Sequence, residues 1–126
     1  MNKQIIRTDK APLPKAPYSQ AIIYDNLLFV SGQGPVDPNT QEIVYGTIEE
    51  EIRLTLSDLK AIIEAAGFSM DNVLKVTVIL TDIRDFAKVS EVYKEFFNVD
   101  PPARTCFEAS NLPFNIKCEV EAIVGK

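Results

Sequence analysis

Residues 101–122 constrain the fold most strongly, because they form two strand-like segments whose side chains alternate in character. Successive side chains of a strand point to opposite faces of its sheet. In the first segment this period places Arg104, Cys106 and Glu108 on one face. The opposite face is formed by Ala103, Thr105, Phe107 and Ala109.

The second segment alternates in the same way. Its charged face is formed by Lys117, Glu119, Glu121 and Ile123. Its apolar face is formed by Cys118, Val120, Ala122 and Val124. We expect each strand to turn an apolar face to the core, and we interpret the charged faces as the candidate functional surface. The alternative is a solvated face of an antiparallel sheet, which is a common arrangement.

The composition is that of one globular domain spanning residues 1–126, since 46% of the chain is hydrophobic and 25% is charged. The net charge of −5 argues against a nucleic-acid partner held mainly by phosphate contacts. No run approaches the ~20 apolar residues of a membrane helix, and the N-terminal residues lack the apolar segment of a secretory signal. These features predict a cytoplasmic protein without a membrane partner, in which Cys106 and Cys118 stay free thiols.

The absence of histidine excludes several kinds of chemistry. Without histidine the chain can form neither Ser–His nor Cys–His nucleophile pairs, and it has no histidine metal ligands. Its two cysteines do not make a zinc site without other strong ligands. Any catalysis must therefore come from carboxylates, Arg, Lys, Tyr, Ser, Cys or backbone groups, and no metal site is predicted.

The first half of the chain predicts a hairpin and a helix. Residues 21–24 and 27–30 form the hairpin around the Asp25-Asn26 turn. It follows a candidate strand at residues 3–7 and a proline-rich extended segment at 9–17. The SGQGP segment at 31–35 either brings backbone close to a ligand or simply ends the strand. Residues 37–45 are predicted to be an exposed loop.

Two helices flank a central strand at residues 73–80. The first begins at Thr47, which forms a capping box with Glu50, and Gly67 ends it. Its apolar stripe consists of Ile48, Ile52, Leu56, Leu59, Ile63 and Ala66. The second spans residues 85–97, with Asp82 as N-cap. We interpret its aromatic stripe as core, formed by Phe86, Val89, Tyr93, Phe96 and Phe97.

This order of elements predicts an α+β domain, in which two helices cover one face of a mixed sheet. The uncovered face would combine apolar residues with Arg104, Cys106, Glu108 and Glu119. Such a face is often buried by oligomerisation. A guanidinium buried there would require a carboxylate partner.

Five motifs extend this interpretation, because they occur in a characteristic order over nearly the whole chain. They are PYSQA at 17–21, SGQGP at 31–35, EAAG at 64–67, PARTC at 102–106 and CEVEAI at 118–123. The ordered set resembles the reactive intermediate deaminase family, the Rid or YjgF-type imine deaminases also called endoribonuclease L-PSP.

The resemblance implies a chorismate-mutase-like fold and a homotrimer with clefts between its subunits. It also implies hydrolysis of reactive 2-imino and enamine acids to 2-keto acids and ammonia, without a cofactor. The usual substrate is 2-aminoacrylate, which reacts through 2-iminopropanoate to give pyruvate.

The resemblance also assigns roles to individual residues. Arg104 matches the arginine that holds the substrate carboxylate, and a guanidinium can do so through two parallel hydrogen bonds. Glu119 matches the acidic residue near the reacting carbon, where it could activate water and protonate the departing nitrogen. Its rival is Glu121, on the same face. Further matching pocket positions are Tyr18, Ser31, Gly32 and Cys106.

Cys106 matches as a lining residue rather than a nucleophile, and it could equally be a plain buried residue. The chain departs from the commoner family pattern at Ser90, where active members often carry asparagine, and in its short link at residues 98–101. These departures bear on substrate preference and rate.

A second function class remains open. The same trimer could be a non-catalytic module that holds small carboxylates or a partner protein in its clefts, because some family members are described as translation inhibitors or ribonucleases. A chorismate mutase is suggested by fold analogy alone, and fold does not fix function.

Overall fold

Eight strands are present in a computed structural model that describes residues 2–126. They are β1 Gln4–Ile6, β2 Ala21–Tyr24, β3 Leu27–Gln33, β4 Val36–Asp37, β5 Glu42–Ile43, β6 Val73–Leu80, β7 Ala103–Glu108 and β8 Cys118–Gly125. Six of them form the main sheet in the order β1-β2-β3-β8-β6-β7, and a separate two-stranded sheet pairs β4 with β5. The helices are α1 Ile48–Ala65 and α2 Phe86–Tyr93.

All neighbouring strands of the main sheet are antiparallel except β6 and β7, which are parallel. Parallel strands need a crossover, and α2 provides it. Both helices pack on one face of the sheet, so the predicted two-layer α+β fold is confirmed.

The core lies between this face and the helices. In β8 the predicted apolar face is confirmed, since Cys118, Val120 and Val124 have no exposed surface and Ala122 has almost none. The helix side of β6 is equally buried, with Val76, Val78 and Leu80. Cys118 and Cys106 are both free thiols, as predicted.

Helix α1 begins and ends where its sequence indicates. The Thr47 hydroxyl accepts a hydrogen bond from the Glu50 N–H, and the Glu50 carboxylate accepts one from the Thr47 N–H. Gly67, just beyond the helix, has a φ of 84°, a conformation that favours glycine. The predicted stripe is buried except for the half-buried Ala66 and also includes Ile62.

Glu51 is a buried carboxylate that ties α1 to the segment before β8. It accepts hydrogen bonds from the backbone N–H of Lys117 at 2.8 Å and from the Lys117 ammonium at 3.0 Å. The N–H of Gly46 also donates to it at 3.3 Å. Glu51 therefore holds the residue that precedes β8 against the start of α1. This role goes beyond the favourable interaction of an acidic side chain with the helix N-terminus.

Two of the predicted segments differ from the structure. Residues 37–45 were expected to be a loop, yet β4 and β5 pair there because Gln41, with a φ of 62°, reverses the chain in a tight turn. Helix α2 ends at Tyr93 rather than at residue 97. Phe97 is still buried, whereas Phe86 is 43% exposed although the stripe predicted it as core.

Gln20 organises the proline-rich segment near the N-terminus. Its buried side chain accepts a hydrogen bond from the Thr8 N–H, and it donates to the carbonyl oxygens of Thr8 and Pro12. The Gln20 amide thus satisfies backbone groups of a segment whose prolines prevent regular strand pairing. The segment leads directly to Tyr18 and the start of β2.

The predicted orientation of β7 is wrong. Arg104 and Cys106 were expected on the uncovered face, but they pair in register with Val76 and Val78 and so point to the helix layer. Phe107 lies on the uncovered face and is 45% exposed. The reason is that β7 is a parallel edge strand separated from β8 by β6, so the two charged faces do not adjoin.

Asp58 on α1 is a buried carboxyl beside β4. It is 2% exposed, and its Oδ2 has no hydrogen-bond partner among residues 2–126. Burial raises the pKa of Asp58 to about 8, against the lowering effect of a hydrogen bond from the Val36 backbone. The charge of Asp37 adds a smaller rise. Asp58 is therefore protonated at neutral pH.

We expect Asp58→Asn to remove a pH dependence of folding stability. The folded pKa of about 8 lies above the usual value of 3.8, so the folded protein keeps a proton that the unfolded chain releases above pH ~4. Stability should fall as pH rises towards 8 and then level off. Between about pH 5 and about pH 8 the native protein should lose up to about 4 kcal/mol more than the variant.

Denaturant unfolding at both pH values measures this difference, with Asp71→Asn at an exposed position as the matched control. Parallel pH profiles for the native protein and Asp58→Asn would contradict the assignment.

Candidate functional site

Arg104 lies on the helix side of β7, across one face of α2. Its guanidinium carbon is 4.8 Å from the ring centroid of Tyr93 and 5.1 Å from that of Phe86. Its Nη2 donates to the Ser90 hydroxyl at 3.3 Å. Arg104 is half-buried and forms no ion pair within residues 2–126. A half-buried guanidinium without a carboxylate is a ready receptor for an external anion.

Two other side chains of β7 point to the same side. Cys106 is half-buried, and burial raises the pKa of its thiol more than the Arg104 charge lowers it. The thiol form is therefore favoured, which agrees with a lining residue rather than a nucleophile. The Glu108 carboxylate accepts a hydrogen bond from the Ile83 N–H at 2.9 Å, so it anchors the segment that leads into α2.

Glu119 lies on the uncovered face, on the central strand β8. It is half-buried, and its side chain folds over Gly32 of β3. A Cβ at position 32 would come within 2.8 Å of the Glu119 carboxyl carbon. Gly32 is therefore required for this close approach, which favours the functional interpretation of SGQGP over a simple strand end.

Burial raises the pKa of Glu119, and the charge of Glu121 raises it further. Glu121 itself is exposed, two residues further along the same face. A carboxylate with a raised pKa is a better proton acceptor near neutral pH than an ordinary one. Of the two rivals, Glu119 therefore has the surroundings of a general base.

Ser31 precedes Gly32 in β3 and is bonded to the segment that follows Tyr18. The Ser31 hydroxyl donates to the Ser19 carbonyl oxygen at 2.6 Å, and the Ser31 N–H donates to the Gln20 carbonyl oxygen. The ladder between β3 and β8 is irregular here, between Val30 and Gln33. Tyr18, next to Ser19, is 51% exposed. These contacts hold residues 18–20 beside Gly32.

The predicted site residues thus form two groups on opposite faces of one sheet. Arg104 and Cys106 lie on the helix side of the edge strand. Glu119, Gly32 and Ser31 lie on or beside the uncovered face of the central strands. Strand β6 separates the two groups, so a single subunit does not bring Arg104 and Glu119 together on one face.

Sequence reasoning missed the surroundings of Arg104. The sequence predicted Phe86 and Tyr93 as core residues. It identified Ser90 only as a departure from the family pattern, and it linked none of the three to the arginine. Their spacing of four and then three residues is the signal that places them on one helix face. That Arg104 lies against this face depends on the parallel register of β7.

Neither a metal cluster nor a membrane helix is found in the described part of the chain. Residues 2–126 assemble no group of three Cys, Asp or Glu side chains suited to a metal ion. Within the same residues, neither helix has the length and apolar character needed to cross a bilayer.

The two-layer α+β fold, with six strands in a mixed sheet and two helices, places the chain in the chorismate-mutase-like fold class. The family model described as Endoribonuclease L-PSP matches residues 8–126. This chain therefore belongs to the endoribonuclease L-PSP family, which is the reactive intermediate deaminase family.

Relatives support the assignment over nearly full length. A RutC family protein of Pyrococcus horikoshii is 52% identical over 124 residues, covering 98% of each chain. The human 2-iminobutanoate/2-iminopropanoate deaminase is 40% identical over 121 residues, covering 96% of this chain and 88% of its own. The crystal structure of Escherichia coli TdcF with bound serine superposes with a TM-score of 0.93 at 41% identity and covers 98% of both chains.

Gly32→Ala should displace the Glu119 carboxylate without unfolding the protein. The Cβ would meet the flexible end of the Glu119 side chain rather than backbone, so the carboxylate should move towards water and its pKa should fall towards the ordinary value. A carboxyl nuclear magnetic resonance titration measures that pKa. Gly46→Ala, whose nearest contacts would be with the Glu50 side chain, is the control. An unchanged pKa of Glu119 in Gly32→Ala would refute the close approach.

Proposed function

We propose that this protein hydrolyses small 2-imino acids, and the enamines from which they form, to 2-keto acids and ammonia. The observation that carries the proposal is Arg104, a half-buried guanidinium that has no ion-pair partner within residues 2–126. Two relatives add support, because one is named 2-iminobutanoate/2-iminopropanoate deaminase and another binds serine, a small amino acid with a carboxylate.

Arg104 would hold the substrate through its carboxylate. The Ser90 hydroxyl accepts a hydrogen bond from Nη2 on the side of α2, while the other N–H groups of the guanidinium have no acceptor within residues 2–126 and can donate to a substrate. Two parallel hydrogen bonds from a guanidinium fix both the position and the plane of a carboxylate. The adjacent imine carbon would then have a defined position for attack.

Glu119 would move the protons of the reaction. It would take a proton from water as the water oxygen bonds to the imine carbon, giving a tetrahedral carbinolamine. It would return that proton to the nitrogen. It would then take the proton of the new hydroxyl and deliver it to the same nitrogen, so that the carbon–nitrogen bond breaks, the C=O bond of the keto group forms and ammonia leaves. One water is consumed and one ammonia is released. The raised pKa of Glu119 suits both transfers.

The opposite orientation of the two groups implies that a complete site requires two subunits. Arg104 of one copy would face Glu119 of a neighbour across an interface. The uncovered face supports this, since it exposes Phe29, Phe107 and Ile123 together with half-buried Glu119. A repeated heterologous interface closes into a ring, and we propose the trimer that the family resemblance implies.

The alternative is a trimer that binds small carboxylates in the same clefts without turnover. It shares the arginine and differs only in whether Glu119 acts on water. The family description names an endoribonuclease, but the net charge of −5 and the absence of histidine favour a small-molecule substrate for this chain.

Arg104→Lys should reduce the acceleration of imine hydrolysis about a hundredfold, because an ammonium cannot form the two parallel charge-assisted hydrogen bonds that orient the substrate carboxylate. The measurement is pyruvate release from freshly generated 2-aminoacrylate, read as acceleration over the enzyme-free rate. Arg53→Lys, in an exposed pair with Glu95, is the matched control. Undiminished acceleration in Arg104→Lys would exclude this mechanism, and no acceleration by the native protein would favour the binding module.

Mixing two inactive variants tests the shared site. Arg104→Ala and Glu119→Gln subunits, unfolded and reassembled together, should recover activity, because about one quarter of the interfaces in randomly mixed rings carry both native residues. Each variant reassembled alone should stay inactive. Recovery requires that the two residues come from different subunits, whereas a site within one chain would give none.

A further inference from the structure

We propose that Tyr93 is a positioning residue for Arg104, whose aromatic ring holds the guanidinium ready for a substrate carboxylate. The inference rests on the proposed function and adds to it a residue that acts on Arg104 and does not itself contact the substrate. Tyr93 lies at the end of α2 and is only 6% exposed.

The ring of Tyr93 is itself held in place. It packs against Phe97 with ring centroids 4.7 Å apart and planes tilted by 39°. Because it is buried and has a packed neighbour, it cannot easily change rotamer. The guanidinium carbon of Arg104 lies 4.8 Å from its centroid, within the range at which an aromatic face attracts a cation.

The hydroxyl of Tyr93 does not explain this arrangement. It is buried and has no hydrogen-bond partner among residues 2–126, and burial raises the pKa of Tyr93 to about 12, so the phenol stays neutral. A buried hydroxyl without a partner is unfavourable. The ring face, rather than the hydroxyl, is therefore the part that acts on Arg104.

Holding Arg104 has a direct consequence for binding. A free arginine side chain loses much rotamer freedom when it binds a carboxylate. Tyr93, together with the Ser90 hydroxyl oxygen that accepts a hydrogen bond from Nη2, removes part of that loss beforehand. Phe86 approaches the same guanidinium but is 43% exposed, so Tyr93 is the fixed support.

Three substitutions separate the ring from the hydroxyl. Tyr93→Phe keeps the ring, whereas Tyr93→Leu and Tyr93→Met remove it, and the flexible methionine better preserves the packed volume. Phe68→Leu is the control for a general loss of packing. It removes another buried aromatic ring, which lies beneath the Lys126 ammonium and not beside Arg104.

The first readout needs no substrate. The order parameter of the Arg104 Nε–H, from nuclear magnetic resonance relaxation of the free protein, should be high in the native protein, in Tyr93→Phe and in Phe68→Leu. It should fall in Tyr93→Leu and Tyr93→Met. An Arg104 that stays equally ordered in both aliphatic variants would overturn the inference.

The second readout is the dissociation constant for pyruvate, the keto-acid product. Loss of the ring should raise this dissociation constant roughly tenfold, while Tyr93→Phe should bind pyruvate like the native protein. Equal affinity in the aliphatic variants, alongside loss of binding in Arg104→Lys, would overturn the role of Tyr93 and leave the proposed function intact. A native protein with an ordered Arg104 that neither binds pyruvate nor accelerates imine hydrolysis would overturn both.

Discussion

The parallel pairing of β7 with β6 is the constraint on which the site depends. It aligns Arg104 with Val76, so the guanidinium points to the helix layer and meets α2 instead of solvent. Glu119 of β8, paired with Ile79 of β6, points to the other face. The crossover through α2 therefore decides the surroundings of the arginine, including the Tyr93 ring and the Ser90 hydroxyl.

On the other face, a single glycine sets the position of the carboxylate. The side chain of Glu119 occupies the space above Gly32 that any Cβ would fill. Partial burial there raises the pKa of the carboxyl. The fold thus places a half-buried guanidinium at one edge of the sheet and a half-buried carboxyl at its centre, and the proposed function joins them across two subunits.

Burial also distinguishes residues that look alike in the sequence. Glu51 belongs to an acidic run at the start of α1, yet it is buried and bonded to Lys117 and Gly46, so it is structural. Asp58, on the same helix, is buried without comparable partners and is protonated at neutral pH. Neither the type of these residues nor their spacing reveals this difference.

The sequence by itself determined the α+β class, the hairpin, the bounds of α1 and the core face of β8, because local periodicity and capping residues specify each of them. Its ordered motifs also identified the family. Only the tertiary structure decided which way Arg104 points, that β4 and β5 pair, and that Phe86, Ser90 and Tyr93 surround the guanidinium. The surroundings of Arg104 depend on strand order and register, which arise from contacts between residues distant in the chain. The pairing of β4 with β5 depends instead on the positive φ of Gln41, a conformation that its residue type does not indicate.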